Sequence, residues 1–335
     1  MFHDFMESVA PNKINVNSES HFLSSGQWRD LDTRTSYVRS VYWLATLLGM
    51  DANMGWFWAR DPDGSPEDRL EGDLDFFDPG LGGAYAGSNN MQPHVTNEVT
   101  QVMYDLNTFS EEIIELREQR RPLRLFYSET TAINIDDYMT KGYKLYESLF
   151  FEGFPLGFAT KNIIEKQNNE NWDAIVVYRN NYVTDAEFNA LQTYLNNGGS
   201  VILDTSDALS LNEYGQKRDK KLVAANGTLK VLETQDINEI AKSAIAAVNS
   251  ASLADVVLNE NNGVDHKTTT WRTVKQEDGS YLVNILNFGH NTANLTMSLR
   301  DGKDFTVKDL MSSNDLKPTF ELASEGVLLL QVTPK

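Results

Sequence analysis

The 335-residue chain is 41% hydrophobic and 23% charged, enough to bury two or three separate cores, since single domains usually hold about 100 to 200 residues. Its 48 acidic against 29 basic residues give a net charge of -19, which would repel a phosphate backbone instead of releasing its counterions, so nucleic acid is excluded as a partner. The absence of cysteine excludes disulfides, thiolate zinc sites and a cysteine nucleophile.

The first ten residues carry Asp4 and Glu7 where a signal peptide would be basic and then apolar, and no apolar run approaches the roughly 20 residues that span a bilayer. Neither export nor membrane insertion is expected from these residues. From 1 to about 120 the pattern reads helix, strand, helix, strand, long loop, helix, with strands at 14–18 and 53–59 and apolar-rich helices at 36–48 and 97–120. These read as β/α units. The first strand places Glu19 where it ends, the position at which barrel enzymes keep catalytic groups, although by spacing alone Glu19 is one acidic loop residue among many. In the second, Trp56 and Trp58 share a face and Arg60 follows on the same side. A flat indole covers the C–H face of a sugar and a guanidinium donates to several hydroxyls, while the same tryptophans would serve equally as core filling.

The loop Gly80-Leu81-Gly82-Gly83-Ala84-Tyr85-Ala86-Gly87 lacks the apolar strand and the glycine spacing of a dinucleotide site, and reads as a mobile connector. From 123 to about 250 strands and helices alternate: strands at 123–127, 156–159, 174–178 and 200–204, helices at 136–152 and 185–196, and a last strand at 229–232. That is a doubly wound pattern with a five-stranded parallel sheet, its apolar runs buried on both faces and Asn197-Gly198-Gly199 stopping a helix. Ser206 and Asp207, just beyond the 200–204 strand, read as ordinary loop residues. After His266 the helical period gives way to strands at 269–274, 281–288, 293–299 and 326–332, a small antiparallel β domain. The five histidines are scattered without ligand spacing, so neither a metal nor a cofactor is expected.

Asn17-Ser18-Glu19-Ser20-His21, Gly55-Trp56-Phe57-Trp58-Ala59-Arg60 and Asn196-Asn197-Gly198-Gly199-Ser200-Val201-Ile202-Leu203, in this order of parts, resemble the family 42 β-galactosidases and related clan A glycoside hydrolases. The resemblance covers nearly the whole chain. It implies an α/β architecture of three parts: the incomplete tail of a (β/α)8 barrel at 1–121, a flavodoxin-like, amidotransferase-like trimerisation domain at 122–262, and a small C-terminal antiparallel β-sandwich at 263–335. It assigns the nucleophile to Glu19 after strand seven, and contact with an oligo- or polysaccharide to Asn17, His21, Trp56, Trp58 and Arg60. The family's acid/base Glu follows strand four and has no counterpart here, and the four-cysteine zinc cluster of some members is impossible. Retention needs two carboxyls roughly 5 to 5.5 Å apart, so this chain by itself is expected to hydrolyse no aryl galactoside. A non-catalytic carbohydrate-binding or oligomerisation module is the alternative. Two strands cannot close a barrel, so Val41, Trp43, Leu44 and Leu47 are expected to face missing neighbours or water, leaving the N-terminal third poorly stable while the rest folds independently.

Overall fold

The computed structural model describes residues 1–11, 13–20, 33–55 and 93–335. Its first helix, α1 (Phe2–Val9), is amphipathic, and Met1 and Phe5 pack against apolar residues of the central sheet described below. Strand β1 (Val16–Ser20), helix α2 (Thr35–Leu47) and strand β2 (Ala52–Gly55) follow, and the two strands pair in parallel. A parallel pair needs a crossover between its strands, and α2 lies between them in the sequence. The single helix expected at 97–120 is two, α3 (Pro93–Thr108) and α4 (Ser110–Arg117), with the break at Phe109, whose φ of -104° and ψ of 29° are not helical.

The central sheet is built by β3 (Leu123–Phe126), α5 (Glu129–Asn134), α6 (Tyr138–Phe150), β4 (Leu156–Ala159), α7 (Lys161–Lys166), β5 (Ala174–Val177), α8 (Asp185–Asn196), β6 (Ser200–Leu203), β7 (Thr228–Val231) and α9 (Ile237–Ala246). Its five strands run in the order β4-β3-β5-β6-β7, every neighbouring pair parallel. The run in β5 is apolar because both faces are covered: Ile175 and Val177 enter one apolar cluster, Ala174 and Val176 the other. Helix α8 begins with a reciprocal cap between Thr184 and Glu187 and stops where Gly198 takes a φ of +95°. There the amide of Gly199 donates to the Tyr194 carbonyl at 2.9 Å.

Strands β8 (Val256–Asn261), β9 (Thr269–Lys275), β10 (Tyr281–Asn287), β11 (Ala293–Leu299), β12 (Phe305–Asp309), β13 (Asp315–Leu316), β14 (Thr319–Leu322) and β15 (Val327–Pro334) complete the chain. They form two antiparallel sheets, β13-β12-β15-β10-β9 and β14-β11-β8, with Trp271, Val283, Ile285, Leu295 and Met297 in the cluster that joins them. Strand β10 is buried at every position. Alternation explains it: Val283 and Ile285 point between the sheets, while Leu282 and Leu286 lie in a third cluster shared with α2, α3 and α4.

That third cluster corrects the expectation that α2 faces missing neighbours. Trp43 is 0% and Leu47 2% exposed, packed with Leu282, Leu286, Val327 and Leu329, and Val41 and Leu44 lie against the same cluster. The partners that cover them are α3 and α4 together with the outer face of the C-terminal sheet, so the N-terminal third shares a core with the last third of the chain.

The loops entering β1 and β2 are held by Asp51, whose carboxylate accepts from the Asn15 amide at 2.7 Å and from Arg117 of α4 at 2.6 Å. The Arg117 hydrogen bond, aided by the Asn15 amide and opposed by partial burial, holds the Asp51 carboxyl below its ordinary value of 3.8. A depressed carboxyl contributes stability that is complete above its unfolded pKa and is lost as pH falls through the lower folded value. Asp51→Asn is therefore expected to be less stable than the parent at about pH 6, by a gap that narrows as pH falls from there toward about pH 2. Urea midpoints at the two pH values check this, and a gap that stays constant would refute it.

Candidate active site

The parallel pair β1/β2 positions the predicted site. Val16 pairs with Ala52 and Asn17 with Asn53, but the next pairing joins Ser20 to Gly55. Three steps along β1 thus match two along β2, so one extra residue falls on β1 between Asn17 and Ser20. An extra residue of this kind disrupts the ladder and bends the strand locally. Glu19 lies in that interval, at the C-terminal end of a strand in a parallel pair, the end at which barrel enzymes carry their chemistry. The strand runs to Ser20, so Glu19 sits within its last turn of the pleat and not in the loop beyond.

Asn17 is half-buried on β1, two residues before Glu19. Behind the pair, Tyr42 of α2 hydrogen bonds with Asn53 of β2, and burial first of all pushes the Tyr42 hydroxyl up to about 12, the bond to Asn53 opposing. Tyr42 is thereby kept neutral, a fixed support joining helix to strand. Arg39 braces α2 against α3 through Glu98 and Asp105, each at 2.6 Å. His21, Trp56, Trp58 and Arg60 lie outside the described residues, as does the glycine-rich loop at 80–87.

The central sheet carries a second group of polar residues at the C-terminal ends of its strands. The turn after β5 places Arg179 at a φ of +57°, a strained conformation for a residue with a side chain. It is held by Asp204, whose carboxylate accepts from the Arg179 amide at 2.9 Å and the Thr205 amide at 2.8 Å. Burial raises the Asp204 carboxyl, and those amide bonds oppose the shift. The Arg179 guanidinium reaches Asp137 at 2.8 Å. Ser206 and Asp207 bond there through their backbones: the Ser206 amide donates to Glu233 at 3.2 Å, and the Asp207 carbonyl accepts from Asn181 at 3.2 Å.

Sequence reading missed one feature of this edge, a concavity beside β6 and β7 rimmed by Lys217, Lys220 and Lys221. Its signal was present as four cations in five residues, 217–221, within a strongly acidic chain. Among the described residues no group of three or more His, Asp or Glu is placed to hold a metal ion, and no helix is long and apolar enough to cross a membrane.

No protein-family model matches the chain, and no curated protein matches it in sequence. Solved structures do. The apo exo-carrageenase GH42 from Bacteroides ovatus superposes with a TM-score of 0.89 at 36% identity, over 99% of this chain and 43% of that one. A GH42 β-galactosidase catalytic mutant from G. stearothermophilus gives 0.64 at 11% identity over 100% and 56%, and the β-galactosidase from Bacillus circulans sp. alkalophilus 0.66 at 11% over 98% and 57%. The last two share the fold alone. The chain spans less than two thirds of each of these enzymes. It resembles a C-terminal portion of a family 42 glycoside hydrolase, and its mixed α/β architecture of parallel and antiparallel sheets matches that region.

Proposed function

We propose that the chain is the C-terminal part of a longer retaining glycoside hydrolase that cleaves a β-galactoside, with a galactan of the carrageenan type as its polymer. The observation that carries this reading is the 36% identity and TM-score of 0.89 to a GH42 exo-carrageenase across 99% of the chain. In this reading β1 and β2 are the last two strands of the catalytic barrel, and the three parts divide at about 121 and 262. The central parallel sheet serves trimer formation and the paired antiparallel sheets close the chain.

Glu19 is the nucleophile. Its position at the C-terminal end of β1 in the parallel pair is where barrel enzymes carry their catalytic groups. Asn17 and His21 flank it and hydrogen bond sugar hydroxyls, Trp56 and Trp58 give a stacking surface, and Arg60 donates to the rim of the ring. The acid/base carboxyl, which protonates the leaving oxygen and later activates water, belongs to the part of the barrel that this sequence does not include. The test is the reading frame upstream of Met1. Five or six further β/α units with a Glu after the fourth strand are expected, and a frame closed just before Met1 would favour a non-catalytic carbohydrate-binding or oligomerisation module.

Trp58 offers a separate check. Trp58→Ala in the longer enzyme is expected to raise KM for a galactoside about tenfold, the equivalent of ~1.4 kcal/mol of lost ring contact. Unchanged KM would remove Trp58 from the sugar surface and return it to core packing.

A further inference from the structure

The concavity beside β6 and β7 has a volume of about 440 Å³, within the roughly 300–1,000 Å³ of small-molecule sites. Its floor is apolar, with Ala208, Leu229 and Val231 reaching it above the buried Phe188 and Leu203, and its rim is cationic, with Lys217, Lys220 and Lys221. Two features show that this rim is built. First, the segment that carries the lysines is pinned. Leu211 bridges Tyr182 on one side and Lys217 on the other, the Arg218 amide donates to the Ser210 carbonyl at 2.7 Å, and the Asn212 side chain closes the turn onto the Gln216 amide at 2.9 Å.

Arg218 then nails the segment to the sheet. Its guanidinium donates to the carbonyls of Leu209 at 2.8 Å and Val183 at 2.9 Å and pairs with Asp185 at 2.8 Å, with its side chain only 6% exposed. Second, the arginine charge is thereby consumed inside the fold, while the three lysines are exposed and none meets a carboxylate among the described residues. The wall carries one acidic side chain, Asp207. Two residues held at positive φ border the same edge, Leu209 at 62° and Glu233 at 55°, and strain of this kind persists where surrounding structure over-determines it and collects at binding sites.

A chain of net charge -19 repels anions at long range, so three unpaired ammonium groups round one apolar-floored hollow define a local exception that an anion can use. The floor selects among anions: a bare inorganic ion gains nothing from the accessible side chains of Leu229 and Val231, whereas the apolar C–H face of a pyranose does. We propose that this hollow is an accessory site for an anionic saccharide, a glycan residue bearing a sulfate or carboxylate group, which it holds away from the β1/β2 site. That the bearer is a saccharide rests on the hydrolase reading above; that the ligand is anionic rests on the lysines.

Calorimetry on the full chain tests it, with a sulfated galactan oligosaccharide, a uronate oligosaccharide and a neutral galactan oligosaccharide as probes. At least one anionic probe is expected to bind, with affinity falling several-fold between about 50 and about 300 mM salt as the charges are screened. The variant K217Q/K220Q/K221Q should lose roughly tenfold or more of that affinity, one decade per ~1.4 kcal/mol, with an unchanged melting temperature, because the lysines are exposed. Glu19→Gln should leave the binding intact, which separates this site from the catalytic reading: loss of turnover in that variant bears on Glu19 alone. Whichever anionic probe binds more tightly identifies the group. Equal binding of the neutral probe, full affinity in the triple lysine variant, or a triple variant that changes sedimenting mass instead of saccharide binding would each overturn the proposal.

Discussion

Glu19→Gln in the longer enzyme proposed above is expected to lower kcat for an aryl β-galactoside by roughly 10³-fold or more, since the amide is isosteric but cannot form the glycosyl intermediate that divides the reaction into two easier steps. The loss should fall on kcat with KM little changed, because the carboxylate acts in the transition state more than in ground-state binding. A small anionic nucleophile gives a second readout. Azide added to Glu19→Gly with an activated substrate should enter from the vacated face and yield a glycosyl azide of inverted configuration, detectable by nuclear magnetic resonance. The corresponding variant of an acid/base residue gives the retained product instead, because its glycosyl intermediate still forms. Retained product in Glu19→Gly, or turnover within about tenfold of the parent, would transfer the role to another carboxylate. The prediction rests on the position of Glu19 in the parallel pair, where one extra residue falls between Asn17 and Ser20.

How much of this was legible in the sequence depended on how local the determining contacts are. The run Ala174–Val177 and the helix Asp185–Asn196 lie where the pattern puts them, because a continuous apolar run, a Thr184/Glu187 cap and a Gly198 stop are all signals within a few residues. Strands β8, β12, β13 and β14 were not anticipated. Strand β12 buries only Val307 and Asp309 fully, and β13 is two residues long, so neither has enough period to register. Burial of α2 was misread for a different reason: Trp43 meets Leu282 and Leu329, more than 200 residues further along the chain, and no local pattern carries such a contact. In the site, a strand ending beside Glu19 was legible at 14–18 although it runs on to Ser20, whereas the extra residue beside it appears only in the register with β2. The lysine rim was overlooked because whole-chain charge outweighed a five-residue run.

Arg272→Ala should be the most destabilising substitution at the junction of the N-terminal layer with the C-terminal sheet, by about 3–5 kcal/mol, the usual consequence of removing one partner from a buried charged group. Arg272 stands on β9, and its guanidinium donates to the carbonyls of Leu47 at 2.6 Å and Leu116 at 3.3 Å. Those carbonyls belong to the last turns of α2 and α4, which carry partial negative charge and lack partners within their helices. Asp4 of α1 lies 3.9 Å from the same guanidinium, 3.3 Å from Arg121, and accepts from the Tyr146 hydroxyl. One cation therefore ties three helices to a strand. Burial, with Arg121 adding to it and Asp4 opposing, lowers the Arg272 pKa to about 10, which leaves it charged at neutral pH. Arg272→Lys should recover only part of the loss, because an ammonium cannot reach both carbonyls in a fixed fork. A double-mutant cycle with Asp4→Asn should return a coupling above about 0.5 kcal/mol. Hydrogen exchange sharpens the point: if the shared core with Leu282 and Leu286 makes α2 part of the cooperative unit, its interior amides open with the same free energy as those of β10. In Arg272→Ala both should fall together. If α2 exchanged far faster than β10 in the parent, and the variant lost protection only in α2, the N-terminal layer would be a loosely attached unit and the clamp assigned to Arg272 would be refuted.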